Sequence, residues 1–111
     1  MTEPTIQLLV VDDDPGMLAV LECGLAQNPQ YRVCAVADAK QALNELHAGR
    51  YDLLVTDYSL GDTDINGIDL LRAARRLEHP PLVIIITAYA SLQITLESIS
   101  LGVHNFLTKP F

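Results

Sequence analysis

Basic residues are scarce in this chain: seven Lys and Arg stand against fourteen Asp and Glu, a formal charge of −7. Contact with nucleic-acid phosphates needs clustered cations, so that balance argues against direct nucleic-acid binding by this segment. The one basic cluster, Arg72, Arg75 and Arg76, falls at helical spacing and reads as a solvated helix face. Cysteine is rarer still. Cys23 and Cys34 sit in an expected helix and an expected strand, and no CxxC spacing marks a metal or redox site. Both read as reduced, partly buried thiols. No apolar run approaches the roughly 20 residues that span a bilayer, and the start MTEPT lacks the basic and apolar regions of a signal peptide. A membrane role is not expected, and a cytoplasmic location is. Internal repeats and low-complexity segments are lacking as well.

What is present is a strong alternation of apolar runs and helical stripes. The chain has 111 residues, half of them apolar, which suits one folded domain with a real core. Ile6 to Val11 is an almost unbroken apolar run, as in a strand covered on both faces. Asp14-Pro15 then starts a helix, with Met17, Leu18, Leu21 and Leu25 as its apolar stripe, and Asn28-Pro29 stops it. Tyr31 to Val36 forms a second strand. Asp38 caps a second helix, with Ala42, Leu43 and Leu46 facing inward and Gly49 at its end. Leu53 to Thr56 is the third strand and delivers Asp57 at its exit. After a Gly- and Asp-rich loop, Ser59 to Asn66, a helix runs from Ile68 to Leu77. Leu82 to Ile86 is the most β-branched run and hence a central strand, with Thr87 at its exit. Ser91 begins a short helix ending at Gly102, and Asn105 to Thr108 is a fifth strand. This order predicts an α/β fold with a parallel sheet.

Charged residues stand where these strands end: Asp12, Asp13 and Asp14 after the first, Asp57 after the third, Lys109 after the fifth. In open parallel sheets the carboxyl ends of the strands share one edge, and sites form there. Crowded carboxylates repel unless a cation neutralises them, and an all-oxygen donor set favours Mg²⁺ over zinc. Magnesium characteristically bridges one or two carboxylates to a phosphate. Lys109 as a point charge and Thr87 as a hydrogen-bond donor suit phosphate oxygens, and a carboxylate such as Asp57 can act as a nucleophile toward phosphorus. A lone Asp after a strand more often caps or turns the chain, and Asp14 is assigned to helix capping rather than to a metal. His47, His79 and His104 have no metal-ligand spacing and receive no site role.

Five segments together, LLVVDDD (8 to 14), YDLLVTD (51 to 57), NGIDLL (66 to 71), VIIITAYA (83 to 90) and GVHNFLTKPF (102 to 111), closely resemble the receiver domain of bacterial two-component response regulators. The resemblance covers nearly the whole chain. It implies a flavodoxin-like (CheY-like) doubly wound sheet of five parallel strands in the order 2-1-3-4-5. It also implies that Asp57 is the phosphoacceptor, served by a sensor histidine kinase or a phosphotransfer protein. Asp13 matches a direct Mg²⁺ ligand, Asp12 one acting through water, and the backbone carbonyl of Ser59 a further metal contact. Thr87 and Lys109 match the phosphate-sensing hydroxyl and ammonium, and Phe106 the aromatic switch. Ser59 and Tyr89 match positions that tune dephosphorylation. Such a domain is no metabolic enzyme, although it catalyses its own phosphorylation and dephosphorylation. It controls an output domain outside this chain, which can be DNA-binding.

Two departures from the family pattern stand out. Gly61 occupies the place of a usual Pro, and Gly67 comes ten residues after Asp57 instead of eight, so the loop has two extra residues and bears Asp62 and Asp64. These read as a solvated loop, with altered Mg²⁺ affinity or phosphodonor admission as the alternative. Secondly, Phe111 follows the fifth strand without a fifth helix. A receiver domain over 1–111, the N-terminal part of a longer protein, is the expectation, with apolar sheet left exposed or covered by another copy. The fourth helix and fifth strand, with Ile94 and Leu101, are the expected homodimer face. A phosphorylation-independent pseudo-receiver is one rival reading, and a small phosphotransferase or phosphatase acting on a metabolite is another. The latter would want an acid/base partner and a substrate pocket that no motif supplies.

Overall fold

Ile6–Val11 pairs in register with Tyr31–Val36 on one side and, through its last four residues, with 53–56 on the other, which makes this first strand the organiser of the sheet. The computed structural model describes residues 5–60, 65–87, 97, 99–100 and 102–103, and the backbone of 105–108. Strands β1 (Ile6–Val11), β2 (Tyr31–Val36), β3 (Leu53–Asp57), β4 (Leu82–Thr87) and β5 (Asn105–Thr108) form one parallel sheet in the order β2-β1-β3-β4-β5, as the resemblance implied. Its helices are α1 (Pro15–Ala26), α2 (Ala39–Ala48) and α3 (Gly67–Arg75). Strands β3 and β4 each run one residue further than expected, to take in Asp57 and Thr87, and α3 starts and ends slightly earlier. Glu97, Ile99 and Ser100 of the expected fourth helix are helical. Ser91, Ile94 and Leu101 lie outside the described residues.

The period of two along each strand sorts the core into two layers. Leu9, Val11, Leu54, Val83 and Ile85 join Ala42 and Leu46 of α2 and Ile68, Leu70, Leu71 and Ala74 of α3. Val10, Val55 and Ile86 join Leu18, Leu21 and Leu25 of α1 on the other face. Burying a Leu or Ile side chain contributes roughly 1.5–3 kcal/mol, so the first layer supplies most of the hydrophobic stabilisation. The α1 layer is thinner. No residue of α1 is fully buried, and Leu18, Leu21 and Leu25 stay half-exposed. Cys34 is half-buried as expected, but Cys23 is exposed, because it lies off the Leu18-Leu21-Leu25 stripe that meets the sheet. Neither cysteine forms a disulfide. No helix among the described residues is long and apolar enough to cross a membrane.

Side chains close the starts of the two helices that follow β1 and β3. Asp14 caps α1, accepting from the amides of Gly16 at 2.9 Å and Met17 at 3.5 Å, which confirms its assignment as a cap. Helix α3 opens with a capping box: Asn66 Oδ1 accepts from the Asp69 amide at 3.1 Å, and Asp69 Oδ2 accepts from the Asn66 amide at 2.9 Å. Such reciprocal caps satisfy two amide donors that the helix itself leaves free.

Candidate phosphoacceptor site

Strand register brings the site together. Val11 of β1 stands opposite Thr56 of β3, so the next residues, Asp12 and Asp57, leave adjacent strands side by side. The sheet order reverses between β1 and β3, the switch point at which open α/β sheets place their ligands. Carboxylate oxygens of Asp12, Asp13 and Asp57 all lie within 4.8 Å of one another. Asp12 and Asp57 are buried, at 1% and 8% exposure, whereas Asp13 is exposed at the mouth. A buried anion flanked by a second one and opening to solvent through a third is a place where a cation is strongly favoured.

Local hydrogen bonds orient these groups. Asp12 Oδ1 accepts from the Asp14 amide at 2.9 Å, and the Asp12 amide donates to the Val36 carbonyl at 3.3 Å. The carboxylate is thereby turned toward the sheet edge while Asp14 starts α1. Asp57 is held through its backbone: its carbonyl accepts from the buried Thr56 hydroxyl at 2.9 Å. The following amide, of Tyr58, donates to the Ile86 carbonyl at 2.8 Å, and the Gly67 amide donates to the Tyr58 carbonyl at 2.7 Å. The loop after Asp57 is therefore tied at both ends. Leu60 is buried and Ile65 half-buried against the α2/α3 layer, so the Gly- and Asp-rich loop carries apolar anchors on either side of 61–64. Gly61, Asp62 and Asp64 lie outside the described residues.

Thr87 is buried at 2% exposure at the end of β4, one residue past Ile86, the partner of Asp57. Ser59 is exposed two residues after Asp57. Thr108 pairs with Thr87, and Phe106 pairs with Ile85 through the backbone. The side chain of Phe106 lies outside the described residues, as do Lys109 and Tyr89. Sequence reasoning missed Thr56, whose signal was a hydroxyl immediately before the candidate nucleophile in an otherwise apolar strand. His47 Nδ1 lies 2.8 Å from the Leu43 carbonyl of its own helix, and no histidine joins a metal-holding cluster among the described residues.

An ion bound by six oxygens at the 2.0–2.1 Å of magnesium has ligand oxygens up to about 4.2 Å apart. A cluster within 4.8 Å, made only of carboxylate oxygen, fits such an ion with small side-chain adjustments.

Known proteins share both sequence and architecture. The chemotaxis protein CheY of Pseudomonas aeruginosa is 36% identical over 109 residues, covering 96% of this chain and 86% of that protein. The transcriptional regulatory protein ZraR of Escherichia coli is 32% identical over 110 residues, but this chain spans only 24% of its length. Among solved structures, a CheY-like receiver domain protein from Methanospirillum hungatei matches with a TM-score of 0.87 at 29% identity, over 96% of this chain and 83% of that one. A response regulator from Burkholderia pseudomallei, crystallised with a phosphorylated aspartic acid, calcium ion and citrate, matches with a TM-score of 0.85 at 25% identity, over 96% of this chain and 61% of that one. The model of the response regulator receiver domain matches residues 8–111, and the chain, with an acidic pocket of Asp12, Asp13 and Asp57 typical of phosphoacceptor receivers, belongs to that family.

Proposed function

We propose that Asp57 accepts a phosphoryl group from the phosphohistidine of a sensor histidine kinase or phosphotransfer protein. A carboxylate oxygen of Asp57 bonds to phosphorus as the phosphorus–nitrogen bond to histidine breaks, giving an aspartyl-phosphate and neutral histidine once its nitrogen takes a proton. The observation that carries this reading is the convergence of Asp12, Asp13 and Asp57 within 4.8 Å at the ends of β1 and β3. Asp12, Asp13, Asp57 and the Ser59 carbonyl would hold Mg²⁺, which when bound supplies neutralisation of the phosphoryl charge. The bonds from the Thr56 hydroxyl to the Asp57 carbonyl and from the Gly67 amide to the Tyr58 carbonyl hold this strand exit in place, a positioning contribution that suits a reaction with little covalent work for the protein. The hydroxyl of Thr87 and the ammonium of Lys109 would meet the new phosphoryl oxygens, drawing the end of β4 toward the anion, and Phe106 would follow as the switch. The Burkholderia relative, crystallised with a phosphorylated aspartic acid and a calcium ion, supports this reading in a similar fold.

The consequence is a population shift between two surfaces. In this reading residues 1–111 form the receiver part of a cytoplasmic protein whose output domain reads that surface. The region of the fourth helix and β5, where Ile99 is 61% exposed, would be the homodimer face. The test is incubation with Mg²⁺ and acetyl phosphate followed by intact-mass measurement of wild type and Asp57→Ala. A single phosphoryl adduct that the variant lacks is expected. No adduct with any small donor or divalent cation would overturn the reading in favour of a pseudo-receiver, and steady turnover of a metabolite in favour of an enzyme.

A further inference from the structure

We propose that the C-terminal end of α3 is a binding site for a phosphate-bearing small anion, separate from the acidic pocket. Three of the seven basic residues of the chain, Arg72, Arg75 and Arg76, line one cavity of about 240 Å³ together with Ser100 of the neighbouring helical segment. The negative end of a helix dipole attracts cations, which accounts for basic residues in the last turn. It does not account for three of them on one face, where like charges at this spacing destabilise a helix. Nor does it account for their lining one open pocket together with a second segment.

The partners of the three guanidiniums differ. Arg72 pairs with Glu97 at 3.1 Å. Arg75 lies against Gly102, which has φ of +85° and where a side chain would overlap the guanidinium. Neither Arg75 nor Arg76 makes an ion pair among the described residues. Among the described residues, then, two positive charges of the site have no carboxylate partner, on a chain of net −7. Ser100 Oγ donates to the Glu97 carbonyl, so its proton is already engaged and the anion's contacts fall to the guanidiniums. Glu97 opposes an anion, and any ligand must share Arg72 with it.

Guanidinium forks match phosphate and carboxylate oxygens alike. Three forks around one cavity suit a group with three terminal oxygens better than a carboxylate with two. An extended polyanion is disfavoured, because the acidic remainder of the surface would repel it. Helix α3 is nine residues long and begins beside Asp57, so its arginine end lies about 12 Å further along the helix axis. An anion there does not compete for the phosphoacceptor.

The test uses the protein in EDTA, so that no cation recruits anions to the acidic pocket, and follows backbone amide NMR shifts. Pyrophosphate, ADP and adenosine are the probes. Saturating shifts at Arg75, Arg76, Ser100 and Gly102 with pyrophosphate and ADP, and none with adenosine, are expected. Tighter binding of ADP would make the ligand a nucleotide, and equal binding an inorganic phosphate. The double variant Arg75→Gln/Arg76→Gln should lose at least tenfold in affinity, while Arg50→Gln binds as wild type does. Absence of saturating shifts, equal binding by the double variant, or tighter saturation by a glutamate-rich peptide than by either phosphate would overturn the proposal.

Discussion

The α-carbon of Gly67 rests against the backbone carbonyl of Asp57: a β-carbon at position 67 would lie 2.6 Å from that oxygen and 3.0 Å from the Tyr58 α-carbon. Both neighbours are backbone, so neither can swing aside. Gly67 is also the first residue of α3, fixed by the capping box of Asn66 and Asp69 and by its amide bond to the Tyr58 carbonyl. The start of α3 is thereby braced on the strand that carries the phosphoacceptor.

Gly67→Ala should therefore damage stability and chemistry together. Overpacking of this kind costs typically 1–3 kcal/mol, and about 2 kcal/mol is expected in urea unfolding. Displacement of Asp57 should slow its phosphorylation by acetyl phosphate. Gly24→Ala is the control, since nothing lies within 4 Å of a β-carbon there. An Ala at position 67 with wild-type stability and rate would show that the brace is absent in solution.

Thr56→Val tests the other half of the support. The variant keeps the branched shape that suits a buried strand but removes the hydroxyl that donates to the Asp57 carbonyl at 2.9 Å. Loss of about 1 kcal/mol is expected, read as a lower denaturation midpoint with an unchanged slope. Phosphorylation should slow while the adduct mass stays the same. A variant that phosphorylates at the wild-type rate would make Thr56 a stability residue only.

The strands and the convergence of Asp12, Asp13 and Asp57 were legible in the sequence because they depend on local signals: unbroken apolar runs and a charge at each exit. Asp14 as a cap was legible for the same reason, through the Pro that follows it. The brace at Gly67 was not. Its spacing from Asp57 looked like a simple displacement by two residues, and the need for glycine arises from contact with a backbone atom ten positions away. Thr56 was hidden likewise, since a hydroxyl in a strand is common and its bond depends on which rotamer the packed sheet allows. The exposure of Cys23 depends on how far α1 is rotated on the sheet, which the stripe of leucines defines only after packing. Leu60 and Ile65 escaped notice within a segment dominated by Gly and Asp, although both were apolar residues in plain view.

Tyr51 offers a pH test remote from the site. Its hydroxyl donates to Glu45 Oε2 at 2.8 Å and lies beside Cys34. Burial, followed by hydrogen bonding with Cys34 and Glu45, pushes the phenol well above its ordinary value of 10.0. The unfolded chain gives up this proton near pH 10 while the folded chain keeps it, so the folded state binds more protons above that pH. Stability from this group is then full below pH 10 and is lost as pH rises from there toward the folded value. Tyr51→Phe cannot ionise. It should cost about 1 kcal/mol at neutral pH through the lost hydrogen bond, and its deficit relative to wild type should shrink above pH 10. Parallel urea titrations measure that difference, and a deficit that grows with pH would contradict the sign.

Asp13→Asn separates repulsion from metal binding. Without a divalent cation the three carboxylates repel, so removing the charge of Asp13 should raise the melting temperature in EDTA. With Mg²⁺ the order should reverse. A cation that binds only the folded state stabilises wild type by about 2.7 kcal/mol at a hundred times its dissociation constant. The variant retains an amide oxygen at the same place but no charge, and should lose most of that gain. Thermal melts of both proteins across a Mg²⁺ series, with matched NaCl to control ionic strength, measure the crossing. Asp57→Asn provides the comparison inside the cluster, where the buried position should make the rise in EDTA larger than for exposed Asp13. Parallel curves for wild type and Asp13→Asn, with no crossing, would remove Asp13 from the metal-binding set and leave the proposed ion to Asp12 and Asp57.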